Sequence, residues 1–257
     1  MPKKIAIVTG ASSGLGRNYV RRLSTDPAVE EIWAVARRED RLKELQKYAA
    51  CPVRPLPLDL TKPESIEELE RLLRQEAPIV SVLVCAAGFG KMGQSQDIPP
   101  QDNRDMIDLN CKAAVDVTTL CLPFLRRGSR VLEICSTAAF QPMPGINVYG
   151  ATKAFLYSYT KALHHELLPK GIHVTAVCPY WVKDTEFISV AKQGKKGDFK
   201  RFPLASRSSS VVSLSLAASA LNLWVVTPGI VCTLHRLGAK GFPHFMMAPL
   251  VDLARKL

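Results

Sequence analysis

Tyr149 and Lys153 stand four residues apart in Tyr149-Gly150-Ala151-Thr152-Lys153, and on a helix that spacing puts a phenol and an ammonium on one face. A free phenol titrates near pH ~10, too high for efficient proton transfer at neutrality. A cation beside the ring favours phenolate and brings that value down, so the pair is expected to work as an acid–base unit. The pattern is short and also suits an exposed amphipathic helix, so it needs company. A second candidate is the glycine-rich stretch Thr9-Gly10-Ala11-Ser12-Ser13-Gly14-Leu15-Gly16, which joins the apolar run Ile5-Ala6-Ile7-Val8 to a helical pattern. Glycines let the backbone turn sharply and approach a pyrophosphate, whose charge is favoured by the free N–H groups that open a helix. A tight strand–helix turn without a ligand is the alternative.

Such groups meet only if strands and helices alternate so that loop after loop arrives at one edge of a sheet. The chain does alternate. Strands are expected at Ile5 to Val8, Ile32 to Ala36, Val53 to Leu58, Val80 to Cys85, Val131 to Cys135 and Val174 to Cys178. Their continuous apolar character is that of strands buried on both faces. Helical stripes lie between them: Tyr19, Val20 and Leu23; Asp40, Leu42 and Leu45; Ile66, Leu69, Leu72 and Leu73 behind Pro63; Met106, Leu109, Ala113 and Val117, ending near Pro123; and a long helix from Tyr149 to Leu168. This is the order of a parallel sheet wrapped on both sides. Ser208 to Leu234 carries no charge and raises a membrane-span reading, but Asn222 and Pro228-Gly229 interrupt it. A helix from about Ser208 to Leu221, a short strand Leu223 to Thr227 and a turn account for it better. No linker or repeat appears, so residues 1–257 are expected to form a single domain. Its last part, near 230–257 and apolar from Phe242 to Leu257, is expected to be a docking arm for another subunit, with a membrane surface as the alternative.

With 257 residues, 47% hydrophobic and 22% charged, the chain has material for one large α/β core and is not disordered. Its net charge of +11 favours anionic partners without choosing among a phosphorylated cofactor, an acidic substrate, nucleic acid or lipid. Aromatics make up only 7%, with no arginine–aromatic platform for stacking bases, which argues against nucleic acid. The seven cysteines are odd in number, form no C-x-x-C pair and sit mostly in apolar runs. Neither a disulfide framework nor a zinc site is expected, and a reducing, cytoplasmic compartment is. Met1-Pro2-Lys3-Lys4-Ile5 runs straight into a strand too short for a signal-peptide core. His164-His165-Glu166 lacks the H-E-x-x-H spacing and reads as helix surface, so no metal is expected.

The glycine spacing G-x-x-x-G-x-G resembles the compact, single-domain branch of the short-chain dehydrogenase/reductase family, which carries T-G-x-x-x-G-x-G at this place. Ser136 in Ile134-Cys135-Ser136-Thr137-Ala138, thirteen residues before Tyr149, and Asn110 in Asp108-Leu109-Asn110-Cys111 fall in that family's order with Tyr149 and Lys153. The resemblance covers most of the chain and is strongest from Lys4 to Thr185. It implies a doubly wound Rossmann fold with a mostly parallel seven-stranded sheet. The implied reaction is hydride transfer between nicotinamide C4 and the carbonyl carbon of a ketone or secondary alcohol, with a hydroxysteroid or other lipid-like carbonyl compound as a candidate. Tyr149 would pass the proton, its acidity helped by Lys153 and by the charge of an oxidised nicotinamide. Ser136 would hold the substrate oxygen, and Lys153 the nicotinamide ribose. Asn110 would distort the fourth helix and hold a water in the proton relay. A homodimer or homotetramer through the helices bearing Asn110 and Tyr149 is also implied.

The second strand ends Ala34-Val35-Ala36-Arg37-Arg38, with no acid at its tip; Glu30 and Glu31 lie at its other end. An acid there binds the 2′-hydroxyl of NAD, whereas arginine accommodates the 2′-phosphate of NADP. NADP(H) is therefore expected on Arg37 and Arg38, with NAD(H) the alternative. The resemblance adds Gly10, Ser12, Ser13, Gly14, Leu15 and Gly16 around the pyrophosphate, and Asp59 and Leu60 at the adenine. Asp59 is also expected to cap a helix around Thr61. Ala87 and Gly88 follow the fourth strand; Pro179, Val182 and Thr185 follow the sixth. Two departures stand out: Cys85-Ala86-Ala87-Gly88 where the family has N-N-A-G, and Pro179-Tyr180 where it has Pro-Gly, with Thr185 one residue late. Tyr180 and Trp181 are expected in the active-site wall. A substrate lid near 187–207 holds Lys192, Lys195, Lys196, Lys200 and Arg201 with Gly194 and Gly197. It reads as a solvated loop or as an attractor for an anionic substrate. A nucleotide-sugar epimerase shares Y-x-x-x-K, but the glycine spacing and short C-terminal region argue against it. A non-catalytic NADP-binding regulatory protein is kept open by Ala86 and Tyr180.

Overall fold

Short runs of branched and small apolar residues make the sheet. The computed structural model describes residues 2–192, 204–246 and 249. Among them the strands are β1 (Lys4–Thr9), β2 (Glu31–Val35), β3 (Val53–Leu56), β4 (Ile79–Cys85), β5 (Arg130–Ile134), β6 (His173–Val177) and β7 (Val225–Val226). They form one sheet in the order β3-β2-β1-β4-β5-β6-β7, each neighbouring pair parallel. The chain winds outward from β1 to β3, then crosses back to β4 and outward again. That reversal leaves a crevice beyond the carboxyl ends of β1 and β4, where ligands bind in such sheets.

The helices are α1 (Gly14–Leu23), α2 (Glu39–Lys43), α3 (Pro63–Glu76), α4 (Pro100–Ile107), α5 (Ala113–Cys121), α6 (Asn147–Leu167), α7 (Phe187–Ala191), α8 (Ser208–Ala220) and α9 (Ile230–Gly241). Alternate residues of a strand face opposite sides. Ile5, Ile7, Leu83 and Val131 therefore pack against Leu69 and Leu73 of α3, Val117 of α5 and Leu163 of α6. Ala6, Val8, Val84 and Leu132 pack against Tyr19 and Leu23 of α1, Leu42 of α2 and Val211 of α8. Both strand faces are dry, which is why β1 reads as unbroken apolar sequence.

Several boundaries move. β2 stops at Val35 and β3 at Leu56 rather than at Ala36 and Leu58, because the chain leaves the sheet there to border the crevice. α6 begins at Asn147, two residues before Tyr149. His164 is not helix surface: it is buried, and its Nδ1 lies 2.8 Å from the Val174 carbonyl oxygen. β7 is only Val225–Val226.

The uncharged segment is α8, and its serines explain themselves in three dimensions. Tyr19 Oη hydrogen-bonds Ser215 Oγ, and Asn18 Nδ2 donates to Ser208 Oγ at 3.1 Å, so the small hydroxyl face is the one laid on α1. Among the described residues no helix is long and apolar enough to cross a membrane. α9 exposes Ile230, Leu234 and Leu237 along one stripe, in the region expected to dock. The rest of that arm from residue 247, save Pro249, and the lid residues Gly194, Lys195, Lys196, Gly197, Lys200 and Arg201 lie outside the described residues.

Candidate active site

At the end of β1 the backbone turns at Gly10, whose φ is +67°. A Cβ there would sit 2.8 Å from the Ala86 carbonyl carbon and the Ala87 nitrogen, and one at Gly16 would sit 2.2 Å from the Gly10 oxygen. These neighbours are backbone and cannot swing aside, so only glycine permits this turn against the loop after β4. The Ala87 N–H donates to Thr9 Oγ1 at 3.0 Å, which ties that loop to β1 without the family's asparagines. Ser13 precedes α1 in extended conformation, leaving the first N–H groups of the helix facing the crevice.

From this turn runs a cavity of about 660 Å³. Its wall includes every cofactor-binding residue expected from the sequence: Gly10 and Ser12 to Gly16, Arg37 and Arg38, Asp59 and Leu60, Ala87 and Gly88, Tyr149 and Lys153, and Pro179, Val182 and Thr185. The cradle thus fits a dinucleotide. Arg38 donates from Nε and Nη2 to Ser12 Oγ at 3.1 and 3.0 Å, joining the glycine turn to the tip of β2. Asp59 departs from its expected second role. Its Oδ1 accepts from Thr61 N at 3.1 Å and Thr61 Oγ1 at 2.8 Å, closing a turn of its own. α3 has Lys62 as N-cap without a side-chain bond; Pro63, whose φ is already helical, begins it instead. The late Thr185 does reach the turn: a Cβ on Gly14 would touch its side chain at 3.4 Å. The Val182 bridge to Ser206 and the Asp184 bonds to Ser208 N and Oγ, at 2.8 and 2.7 Å, hold that loop in place.

At the other end of the cavity stand Ser136, Tyr149 and Lys153. Ser136 lies two residues beyond the end of β5 and accepts the Ala138 N–H at 3.1 Å, so it caps the following turn while its hydroxyl meets that of Tyr149. Lys153 Nζ donates to the Ile134 carbonyl oxygen at 2.6 Å and lies 5.9 Å from the centre of the Tyr149 ring. Both side chains are buried. Burial pushes the phenol's pKa up, against the lowering effect of the Ser136 bond, and pushes the Lys153 ammonium down. The charge that Lys153 brings beside the ring thus works against the effect of burial. Apolar neighbours Met92, Ile98, Met106, Ala138 and Ile146 surround the ring, and the ammonium is turned toward a backbone carbonyl.

Asn110 is fully buried and, alone among the expected residues, does not line the cavity. It sits in a π turn, Asp108–Lys112, between α4 and α5, so the helix distortion is present. Its Oδ1 accepts from Phe89 N at 3.0 Å, while Nδ2 donates to Phe89 O at 2.9 Å and to Thr152 Oγ1 at 3.0 Å. Both amide hydrogens are thus spent on bracing the β4 loop against α6.

Tyr180 and Trp181 stand in the wall as expected, whereas its other members gave no signal as wall residues because distant segments bring them together. Phe89, Met143, Ile146, Trp181, Phe187 and Val190 form an apolar wall beside Tyr149, with Tyr180 also on it. Lys91 in this wall is paired with Asp102 at 3.7 Å. Glu186 pairs with Arg38 at 2.9 Å and with Arg41. Behind the site, Glu133 of β5 is fully buried: Oε1 accepts from Thr118 Oγ1 at 2.7 Å, and Oε2 has no hydrogen-bond partner. Burial pushes its pKa from 4.5 up to about 7.

Comparison with known proteins agrees with this geometry. A family model described as short chain dehydrogenase matches residues 4–196. Sulfoacetaldehyde reductase 2 of Chromohalobacter salexigens is 35% identical over 196 residues, 74% of this chain and 77% of that protein. The NADP-dependent 3-hydroxy acid dehydrogenase YdfG of Escherichia coli is 34% identical over 196 residues, 75% of this chain and 78% of its own. A short-chain dehydrogenase from Sphingobium yanoikuyae, solved in complex with NADPH, superposes with a TM-score of 0.77 at 26% identity, covering 93% of each chain. A matching family model over most of the chain, relatives above the level of chance likeness and a glycine turn that leads to a serine, a tyrosine and a lysine in one cavity all point one way: this chain is an oxidoreductase of the short-chain dehydrogenase/reductase family.

Proposed function

We propose that the chain is an NADP(H)-dependent enzyme interconverting an apolar ketone and its secondary alcohol, with a hydroxysteroid or another lipid-like carbonyl compound as the substrate class. The carrying observation is a single cavity that has Ser12, Arg37 and Arg38 at one end and Ser136 and Tyr149 at the other. The arginine forks suit a 2′-phosphate; the glycine turn and the first N–H groups of α1 suit a pyrophosphate. Asp59 and Leu60 would border the adenine, Lys153 the nicotinamide ribose, and Val182 and Thr185 the carboxamide and phosphates. A bound nicotinamide supplies the hydride in reduction and takes it up in oxidation. Ser136 positions and polarises the substrate oxygen. Tyr149, whose hydroxyl meets that of Ser136, gives that oxygen its proton in reduction and takes it back in oxidation. Lys153 places positive charge near the ring, and Asn110 acts by holding Phe89 and Thr152 in register.

The wall formed by Phe89, Met143, Ile146, Trp181 and Phe187 supports an apolar substrate. A small acid is the second reading, favoured by Lys91 in the same wall; its charge is already matched by Asp102. Seven free thiols support a reducing, cytoplasmic setting, and the exposed stripe of α9 supports assembly as a homodimer or homotetramer. The test is a spectrophotometric panel of ketones, aldehydes, hydroxysteroids and short-chain oxo acids with NADPH and NADH. Equal or better use of NADH overturns the cofactor assignment, and preference for oxo acids over apolar ketones overturns the substrate class.

A further inference from the structure

Glu186 joins the two ends of the site. It stands between Thr185, whose side chain lies 3.4 Å from where a Cβ on Gly14 would be, and Phe187, whose ring centre lies 5.3 Å from that of Tyr149. As N-cap residue of α7 it begins a short strap whose far end is held by the Met92 N–H on the Ala191 carbonyl oxygen at 2.9 Å. Its carboxylate reaches away from α7, across the adenosine end of the cavity. One oxygen accepts from Arg38 Nη1 at 2.9 Å and the other from Arg41 Nη1. The opposite edge of Arg38 is on Ser12 Oγ. An anion with two planar oxygens therefore already occupies the donors that a phosphate would need. Arg41 and Arg38 hold this carboxyl below the usual carboxylate range, so it carries its charge throughout the neutral region.

We propose that Glu186 is a built-in competitor for the 2′-phosphate subsite: a specificity-determining residue that a 2′-phosphorylated dinucleotide must displace from Arg38 and Arg41, and that one with a free 2′-hydroxyl leaves in place. The inference rests on the dinucleotide reading given above. The carboxylate and both guanidiniums are 43–45% exposed, so each pair is weak enough to exchange. A phosphate dianion carries more charge than the carboxylate and wins the donors, but its affinity is reduced by what the tethered anion holds. Cofactor choice is then a difference between two anions on the same arginines. Arg41, which the sequence does not mark, belongs to the subsite as its outer donor.

The test is calorimetric binding to the full-length protein of two fragments that lack nicotinamide, adenosine 2′,5′-bisphosphate and adenosine 5′-monophosphate, together with NADPH itself. In Glu186→Gln the bisphosphate and NADPH are expected to bind about three- to tenfold tighter, with the monophosphate unchanged within about twofold. Glu186→Ala is expected to move the same way. An unchanged or weakened bisphosphate, or equal tightening of both fragments, overturns the role of Glu186. Failure of the unmutated protein to bind either NADPH or the bisphosphate overturns the dinucleotide reading instead.

Discussion

Replacing Glu133 with glutamine tests how the core beneath the site handles charge. The side chain is fully buried between β5 and α5, with Thr118 on one oxygen and no hydrogen-bond partner on the other. Burial raises its pKa from 4.5 to about 7, against the smaller lowering effects of the Thr118 bond, the nearby Cys85 thiol and the Lys153 charge. Between those values the folded chain holds a proton that the unfolded chain has released. Stability therefore falls as pH rises from about 4.5, and levels off once the folded carboxyl has ionised above about 7. The shift corresponds to about 3 kcal/mol. At this chain length that is about 6–12 °C in midpoint temperature. Glutamine keeps an acceptor for Thr118 and cannot ionise. Its amide hydrogens, poorly partnered, cost about 1–2 kcal/mol at every pH. Thermal unfolding of both proteins between pH 5 and pH 8 (about one midpoint per half unit) separates the two effects. The midpoint of Glu133→Gln relative to the unmutated protein should climb as pH rises and then reach a plateau. Parallel profiles would refute the claim that the carboxyl is neutral in the folded core at acid pH.

Tyr149→Phe should lower turnover by about 10²- to 10⁴-fold while NADPH binding is kept, since the ring still fills its place; full activity would show that the proton comes from elsewhere. Gly16→Ala places a methyl 2.2 Å from the Gly10 oxygen, so either the β1–α1 turn opens or α1 shifts. Dinucleotide affinity should drop at least about tenfold and the midpoint temperature with it; an unchanged affinity would mean the turn is softer than its backbone contacts imply. Asn110→Ala removes three hydrogen bonds and leaves the Phe89 peptide groups unpaired. It should cost about 3 kcal/mol in denaturant unfolding and lower kcat, because Phe89 and Thr152 lose their common support.

What the sequence made legible was mostly local. β1 followed by the glycine turn, the tip of β2 without an acid, and the Tyr149–Lys153 pair on one helix all depend on neighbours within a few residues, and each stands where expected. α8 was readable despite its serines because Asn222 and Gly229 break the apolar run; that the hydroxyls face Tyr19 and Asn18 required the partner helix. The burial of His164 and of Glu133 has the same origin: each strand or helix position acquires its environment only when the sheet closes over it. The surroundings of Tyr149 were only partly legible. Spacing placed the ammonium near the phenol, but spacing says nothing of how dry the pocket is, nor that Lys153 bends to the Ile134 oxygen. Glu186 on Arg38 spans 148 residues of sequence, and no local pattern encodes it.

The π turn at Asp108–Lys112 has a consequence for the rest of its helix. A wide turn is one residue more than an α-helix needs, so everything after it is rotated by about 100° relative to an uninterrupted spiral. The buried positions Val117, Thr118 and Cys121 face the sheet only with that offset included. Deleting a single residue from Asp108 to Lys112 would straighten the spiral and swing those three toward solvent. The surplus residue that aims Asn110 is thereby locked in by the hydrophobic phase of α5, and a lineage could discard it only by rewriting the helix that follows.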